Sequence, residues 1–155
     1  KLMPHVKNTI ERGKKVMASD YAKALAQLSE YRFKMDNIFS KFDYIVSPTV
    51  AIPPHKCNER PNIINGKIDI SSIDDKEMFE ENDYDYSSWI FVLAQFTAPF
   101  NWSGNPAVSL PCGFTKNGLP IGLQLAGKKR GELSLIQASK AFEEIKPWQQ
   151  NRPSI

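Results

Sequence analysis

The sequence is poor in the residues that most often carry chemistry. Its 155 residues include two histidines, His5 and His55, and two cysteines, Cys57 and Cys112. Neither histidine stands at a metal-ligand spacing from Cys, Asp or Glu, so no metal site is expected. Two cysteines do not make a disulfide framework. Cys112 lies in an apolar run and reads as a small buried hydrophobe rather than a reactive thiol. There is no P-loop and no G-x-G-x-x-G, and Ser103-Gly104 lacks the first glycine of a G-x-S-x-G elbow. No cofactor is therefore expected. Charge of one sign is also scarce, with 20 Lys and Arg against 17 Asp and Glu. The basic clusters Lys14-Lys15 and Lys128-Lys129-Arg130 are short and isolated, which argues against nucleic acid as a partner. No apolar run approaches the roughly 20 residues of a membrane-spanning helix. With no signal-peptide pattern either, the expected location is the cytoplasm.

What the sequence does have is concentrated between Phe96 and Gly127. Five of the eight glycines lie there. Asn117-Gly118 separates two apolar runs, Ala107 to Phe114 and Ile121 to Ala126, which predicts an antiparallel hairpin with positive φ at both turn residues. Ile121, Leu123 and Leu125 alternate with Gly122, Gln124 and Ala126, the period of a strand with one bulky and one nearly bare face. A bare face implies a close neighbour: a helix, another strand or a substrate.

Around this hairpin the rest of the chain falls into order. Residues 1 to 18 read as a short helix or a frayed connector. A longer helix follows, with Ser19 or Asp20 as its N-cap. Tyr21, Leu28, Met35 and Phe42 recur every seven residues, with Ala24, Tyr31 and Ile38 between, and mark its apolar face. Phe42 to Ser47 predicts a buried strand ending at Pro48. Residues 48–86, with two Asn-rich turns and an acidic run from Asp74 to Asp85, read as an irregular loop insertion. Asp83 and Asp85 could line one edge of a site, but a solvated loop explains them as well. A helix from Trp89 to Phe100, apolar nearly all round, is expected to stop at Pro99. After the hairpin, Leu133, Ile136, Ala138, Phe142 and Ile145 predict a last amphipathic helix stopped by Pro147. This order suggests an α/β layer arrangement with a mixed sheet.

The stretch Asn101-Trp102-Ser103-Gly104-Asn105-Pro106-Ala107-Val108-Ser109-Leu110-Pro111-Cys112-Gly113, then Gly118 to Gly127, resembles the C-terminal part of amidase-signature hydrolases. Their pattern there is N-x-x-G-x-P-A-x-S-x-P-x-G followed by G-L-P-I-G-x-Q-x-x-G. Phe42 to Thr49 is similar to the family's F-D-x-[LI]-[LIV]-x-P-T strand, and Glu143, Trp148 and Arg152-Pro153 fit its tail. The resemblance implies an α/β fold, the C-terminal part of a single amidase domain over residues 1–155. The chain begins Lys1-Leu2-Met3, which fits either processing or a piece of a larger chain. The implied reaction is hydrolysis of a carboxylic amide through a serine, a second serine on a cis peptide, and a lysine. No segment here matches the one that carries those residues, so no catalytic residue is expected in this chain, and the chain alone is expected to be inactive.

By resemblance, the helix end before the hairpin lies near the acyl-binding pocket, which makes Thr97, Phe100, Asn101 and Trp102 the candidate substrate-binding residues. Phe100 and Trp102 are equally explained as core aromatics, and Asn101 as a cap of the turn. Gln124 reads as a buried structural amide. The implied partners are a small-molecule amide and the N-terminal part of the same amidase, with a homodimer left open. The bare hairpin face is then where this piece would pack within a larger sheet. Two alternatives remain. One is the A subunit of a glutamyl-tRNA amidotransferase, although Ala94 stands where that subgroup has an aspartate and Pro99-Phe100 replace its small residues. The other is a non-catalytic binding module that keeps the fold.

Overall fold

A computed structural model describes residues 4–56, 59–64, 67–72 and 92–151. The chain forms two compact units, one of residues 1–30 and 55–92, the other of 31–54 and 93–155. Among the described residues, no helix is long and apolar enough to cross a membrane.

The first unit contains α1 (Pro4–Gly13) and the N-terminal part of α2 (Ala18–Phe39). Proline suits the first turn of α1, where its missing N–H would have no partner in any case. The segment expected to cap α2 lies one step inside it: Asp20 sits in the first turn, and the N–H groups of Asp20 and Tyr21 bond to the Met17 carbonyl. There its charge still complements the helix dipole. The stretch expected to be irregular holds a two-stranded antiparallel hairpin, β2 (Glu59–Ile64) with β3 (Lys67–Ser72). Ile64 pairs with Lys67, leaving a two-residue connection. The sequence between them is Asn65-Gly66, a dipeptide that favours connections of that length. Asp74 to Asp85 and Trp89 to Phe91 lie outside the described residues.

The second unit is built on a three-stranded sheet in the order β1-β5-β4, with β1 Tyr44–Pro48, β4 Ala107–Phe114 and β5 Pro120–Gly127. Both pairings are antiparallel, and so is β2 with β3, so none of the described strands pairs parallel where a mixed sheet was expected. The predicted hairpin is there with a different turn. The Gly118 N–H bonds to the Thr115 carbonyl at 3.0 Å, and the Thr115 N–H to the Leu119 carbonyl at 2.8 Å. Gly118 takes φ 77°, whereas Asn117 keeps a negative φ. A turn followed by one left-handed glycine is the three-residue form of hairpin connection, which needs positive φ at one residue only. A register shift between Pro111 and Gly113 leaves Cys112 at a bulge, half-buried, with its thiol 3.5 Å from the Ile121 carbonyl. Pro111 is tolerated because β4 is an edge strand.

Helices cover both faces of this sheet. On one face, Ala126 is fully buried and packs with Phe100, Met35 and Phe39, with Tyr31 and Ile45 against the cluster. The side of α2 that meets this cluster therefore runs through Tyr31, Met35 and Phe39, while Tyr21, Ile38 and Phe42 are exposed. A strict seven-residue ladder drifts about 20° per repeat around a straight helix, so its ends rotate off the contact line. The strand expected to be buried is an edge strand with Val46 exposed. On the other face lies α4 (Glu132–Ile145), whose Leu135 meets Gly127, and the Tyr44 hydroxyl donates to the Ser134 carbonyl. Leu135 and Ser139 are buried, and Leu133, Ile136 and Ile145, expected on the inner face, are exposed. The buried positions of α4, Leu135 and Ser139, lie four residues apart on one side of the helix.

Pro99 also plays a different part from the one expected. It stands in the first turn of a new helix, α3 (Ala98–Ser103), after a turn at residues 95–97. Proline breaks a helix interior but suits a helix start. Gly104 closes α3 in the left-handed conformation, φ 78°, with its N–H on the Phe100 carbonyl at 2.8 Å. Only a residue without Cβ takes that cap at little cost.

Candidate functional site

Between α3 and the bare sheet face lies an open cavity of about 280 Å³. Its floor includes Gln124 and Ser109, paired neighbours on β5 and β4, and Ser47 on β1 stands on the other side of Gln124 in the same row. Gln124 is 3% exposed. Its Nε2 donates to the Phe96 carbonyl at 2.8 Å and to Ser47 Oγ at 3.0 Å. A carbonyl can only accept, so this contact fixes which end of the amide is nitrogen. The residue is a structural amide, as the sequence suggested, and it also lines the cavity.

The next step along β5 is Gly122. Thr49 and Ser109 meet over it, their hydroxyl oxygens 2.6 Å apart. A Cβ on residue 122 would lie 2.7 Å from Thr49 Oγ1 and 2.9 Å from Ser109 Oγ. The bare face is thus occupied by the chain itself: a hydroxyl pair at Gly122, a helix-turn carbonyl at Gln124, and the Phe100 cluster at Ala126. Small residues on β5 let α2 and α3 approach the backbone.

The cavity wall brings together three of the four residues singled out from sequence. Thr97, Phe100 and Asn101 line it. The Thr97 hydroxyl donates to the Ala94 carbonyl at 3.3 Å. Phe100 is 6% exposed within the core cluster and also borders the cavity. Trp102 does not line it. The residue is 58% exposed, its ring stands edge-on to Tyr31, centroids 6.2 Å apart, and its carbonyl accepts from Arg32 Nε at 3.0 Å. On a six-residue helix, Trp102 is turned away from Phe100 and Asn101 by the helical period. Partial burial raises the Tyr31 phenol above its ordinary pKa, and its hydroxyl donates to the Pro99 carbonyl at 3.3 Å.

Sequence reasoning missed Thr49, Ser109 and Asn105. The first two lie in motif segments already noted, but only strand pairing brings them together. Asn105 is buried beside the cavity, and its Nδ2 donates to the Gly127 carbonyl at 2.8 Å. Its Oδ1 is buried with no donor, which is costly and uncommon for a polar atom. Among the described residues, none that lines the cavity is ionisable. The site can orient a polar, uncharged group against an apolar side. Among the described residues it brings together no nucleophile–base pair.

The family model described as Amidase matches residues 1–136. In Thermodesulfovibrio yellowstonii, the A subunit of glutamyl-tRNA(Gln) amidotransferase is 33% identical over 135 residues, covering 87% of this chain and 23% of that protein. The chain therefore spans about a quarter of the length of the relatives it matches. A bacterial aryl acylamidase of the amidase signature enzymes superposes with TM-score 0.73 at 26% identity, over 99% of this chain and 29% of its own. A 6-aminohexanoate cyclic dimer hydrolase shares the fold with TM-score 0.75 at 24% identity, over 99% of this chain and 30% of its own.

Proposed function

The chain belongs to the amidase family, and from that premise we propose that it forms one wall of the acyl-binding pocket of a carboxylic-amide hydrolase. In this reading a serine, a second serine and a lysine outside these 155 residues carry the acyl transfer, activating one another as nucleophile and base. The chain contributes Thr97, Phe100 and Asn101, which hold the acyl part next to that centre, while Trp102 supports α3 from outside. The observation that carries this reading is the cavity itself, which Thr97, Phe100 and Asn101 border together with Ser109 and Gln124 of the sheet. Its partners are a small amide and the remainder of the enzyme, in the cytoplasm, with a homodimer as the alternative to a monomer.

One observation favours a second reading, the A subunit of a glutamyl-tRNA amidotransferase, namely the relative that is 33% identical. Against it, Ala94 offers no carboxylate, and its carbonyl accepts the Thr97 hydroxyl.

The test is to express the full open reading frame that encodes this chain and supply simple primary amides with hydroxylamine. Trapping of an acyl hydroxamate by that product, and no turnover by the 155-residue chain alone, is the expected result. Turnover by the chain alone would contradict a nucleophile lying elsewhere. An inert full product would leave the non-catalytic module as the better account.

A further inference from the structure

One donor in the cavity wall is built from two residues. Thr49, just past the end of β1, and Ser109, on β4, reach across β5 and meet above Gly122, with Thr49 Oγ1 2.6 Å from Ser109 Oγ. Both line the cavity. A bond between two hydroxyls engages one of their two protons, so the pair keeps a second. Thr49 is half-buried and Ser109 is exposed. A proton without a partner costs most on the more buried oxygen. Thr49 Oγ1 therefore donates to Ser109 Oγ, and the Ser109 proton is the one left to the cavity. The backbone holds the pair in place. The Thr49 N–H bonds to the Gly122 carbonyl at 2.9 Å, and Ser109 is paired with Gln124 in the sheet register. The missing Cβ of Gly122 leaves room for both oxygens.

We propose that Ser109 Oγ donates this proton to an uncharged oxygen acceptor on the acyl part of the substrate, such as an ether or carbonyl oxygen, and that Thr49 is the positioning residue of that donor. The inference rests on the amide-hydrolase reading and deepens it by adding a specificity-determining residue and the acyl class it selects. A hydroxyl that accepts a hydrogen bond is polarised by it and becomes the stronger donor, so Thr49 improves the Ser109 proton without touching the substrate. A hydroxyl already fixed by its neighbour also loses less freedom on binding than a freely rotating one. Phe100 lines the same cavity and gives the methylenes that carry the acceptor an apolar side.

The experiment measures kcat/KM of the full open-reading-frame product for heptanamide and for three isosteric ethers, 3-propoxypropanamide, 4-ethoxybutanamide and 5-methoxypentanamide. These move one acceptor oxygen along the chain and leave the scissile amide in place. The quantity read is the ether-to-heptanamide ratio in each variant relative to the parent, in which intrinsic differences between the compounds cancel. In Ser109→Ala the ratio should fall by about threefold or more for at least one ether, the size of one lost hydrogen bond. In Thr49→Val, which keeps the side-chain shape, it should fall at least twofold for the same ether and return in Thr49→Ser. A purely structural role would lower both compounds alike and leave the ratio unmoved. Smaller falls than these, for all three ethers in S109A or for that ether in T49V, overturn the proposal. If S109A does not fold, T49V and T49S decide by the same criterion. If no amide is hydrolysed, the amide-hydrolase reading fails by itself. Dissociation constants of the same four amides, from NMR titration of parent and variants, then decide this one at the same thresholds, and no binding of any of them overturns it.

Discussion

Replacing Gly122 by alanine should destabilise the protein although it adds a single methyl group. The new Cβ would lie 2.7 Å from Thr49 Oγ1, 2.9 Å from Ser109 Oγ and 3.0 Å from Thr49 Cβ. Rotating Thr49 does not help, because its Cβ is itself too close. Its backbone cannot easily retreat either, since its N–H bonds to the Gly122 carbonyl at 2.9 Å. The end of β1 must therefore separate from β5, and the Thr49–Ser109 contact must open. Overpacking of this kind costs ~1–3 kcal/mol, and the reduced freedom of the unfolded chain returns ~0.4–1 kcal/mol at a site with ordinary φ. The net expectation is a loss of ~1–2 kcal/mol. Urea unfolding followed by tryptophan fluorescence should show a lower midpoint with an unchanged slope. In a Thr49→Ala background the penalty should shrink by at least ~0.5 kcal/mol, because one of the crowded atoms is gone. A midpoint equal to or above that of the parent, or strict additivity, would refute the reasoning.

Three further outcomes follow from the same geometry. Asn105→Ala removes a hydrogen bond together with the orphaned acceptor and should cost about 1 kcal/mol, whereas Asn105→Asp sets a carboxylate against the Gly127 carbonyl and should cost ~3 kcal/mol or more. Equal urea midpoints for the two variants would rule out the fixed amide orientation. Phe100→Ala should cost ~3–5 kcal/mol by opening the core, while Trp102→Ala should lose about 1 kcal/mol, its edge-on contact with Tyr31. A reversed order in thermal or urea unfolding would mean that Trp102 is the buried aromatic. The Tyr31 phenol is raised above its ordinary value of 10.0 by burial. The folded form then holds its proton more tightly than the unfolded chain, so this contribution is complete below about pH 10 and is lost as pH climbs through the folded value. Stability measured from pH 9 to 11 should fall less steeply in Tyr31→Phe, and identical slopes would count against the shift.

The element order of the second unit was legible because each signal is local. Alternating Ile121, Leu123 and Leu125, the Gly118 turn and the stop at Pro147 act within a few residues. The family was legible in the same way, since motifs are local strings. The misreadings arose where one local signal serves two states. Pro99 ends one helical turn and begins another helix, and proline fits both roles. The second hairpin was overlooked because Asn65-Gly66 lies among turn-forming residues that also suit a loop.

Which residues share the cavity was not written locally at all. Thr49 and Ser109 are separated by 60 residues, Ser47 and Gln124 by 77. Only the β1-β5-β4 order, with its register, sets them side by side. Likewise, a helix's apolar stripe shows that it has an inner side, and the partner surface decides which residues occupy it. Leu135 therefore went inward on α4 while Leu133 and Ile136 did not. The sequence by itself determined the element order of the second unit and the family. The tertiary structure decided that the bare strand face belongs to α2, α3 and a hydroxyl pair, because close approach of a backbone is a property of two surfaces and not of one string.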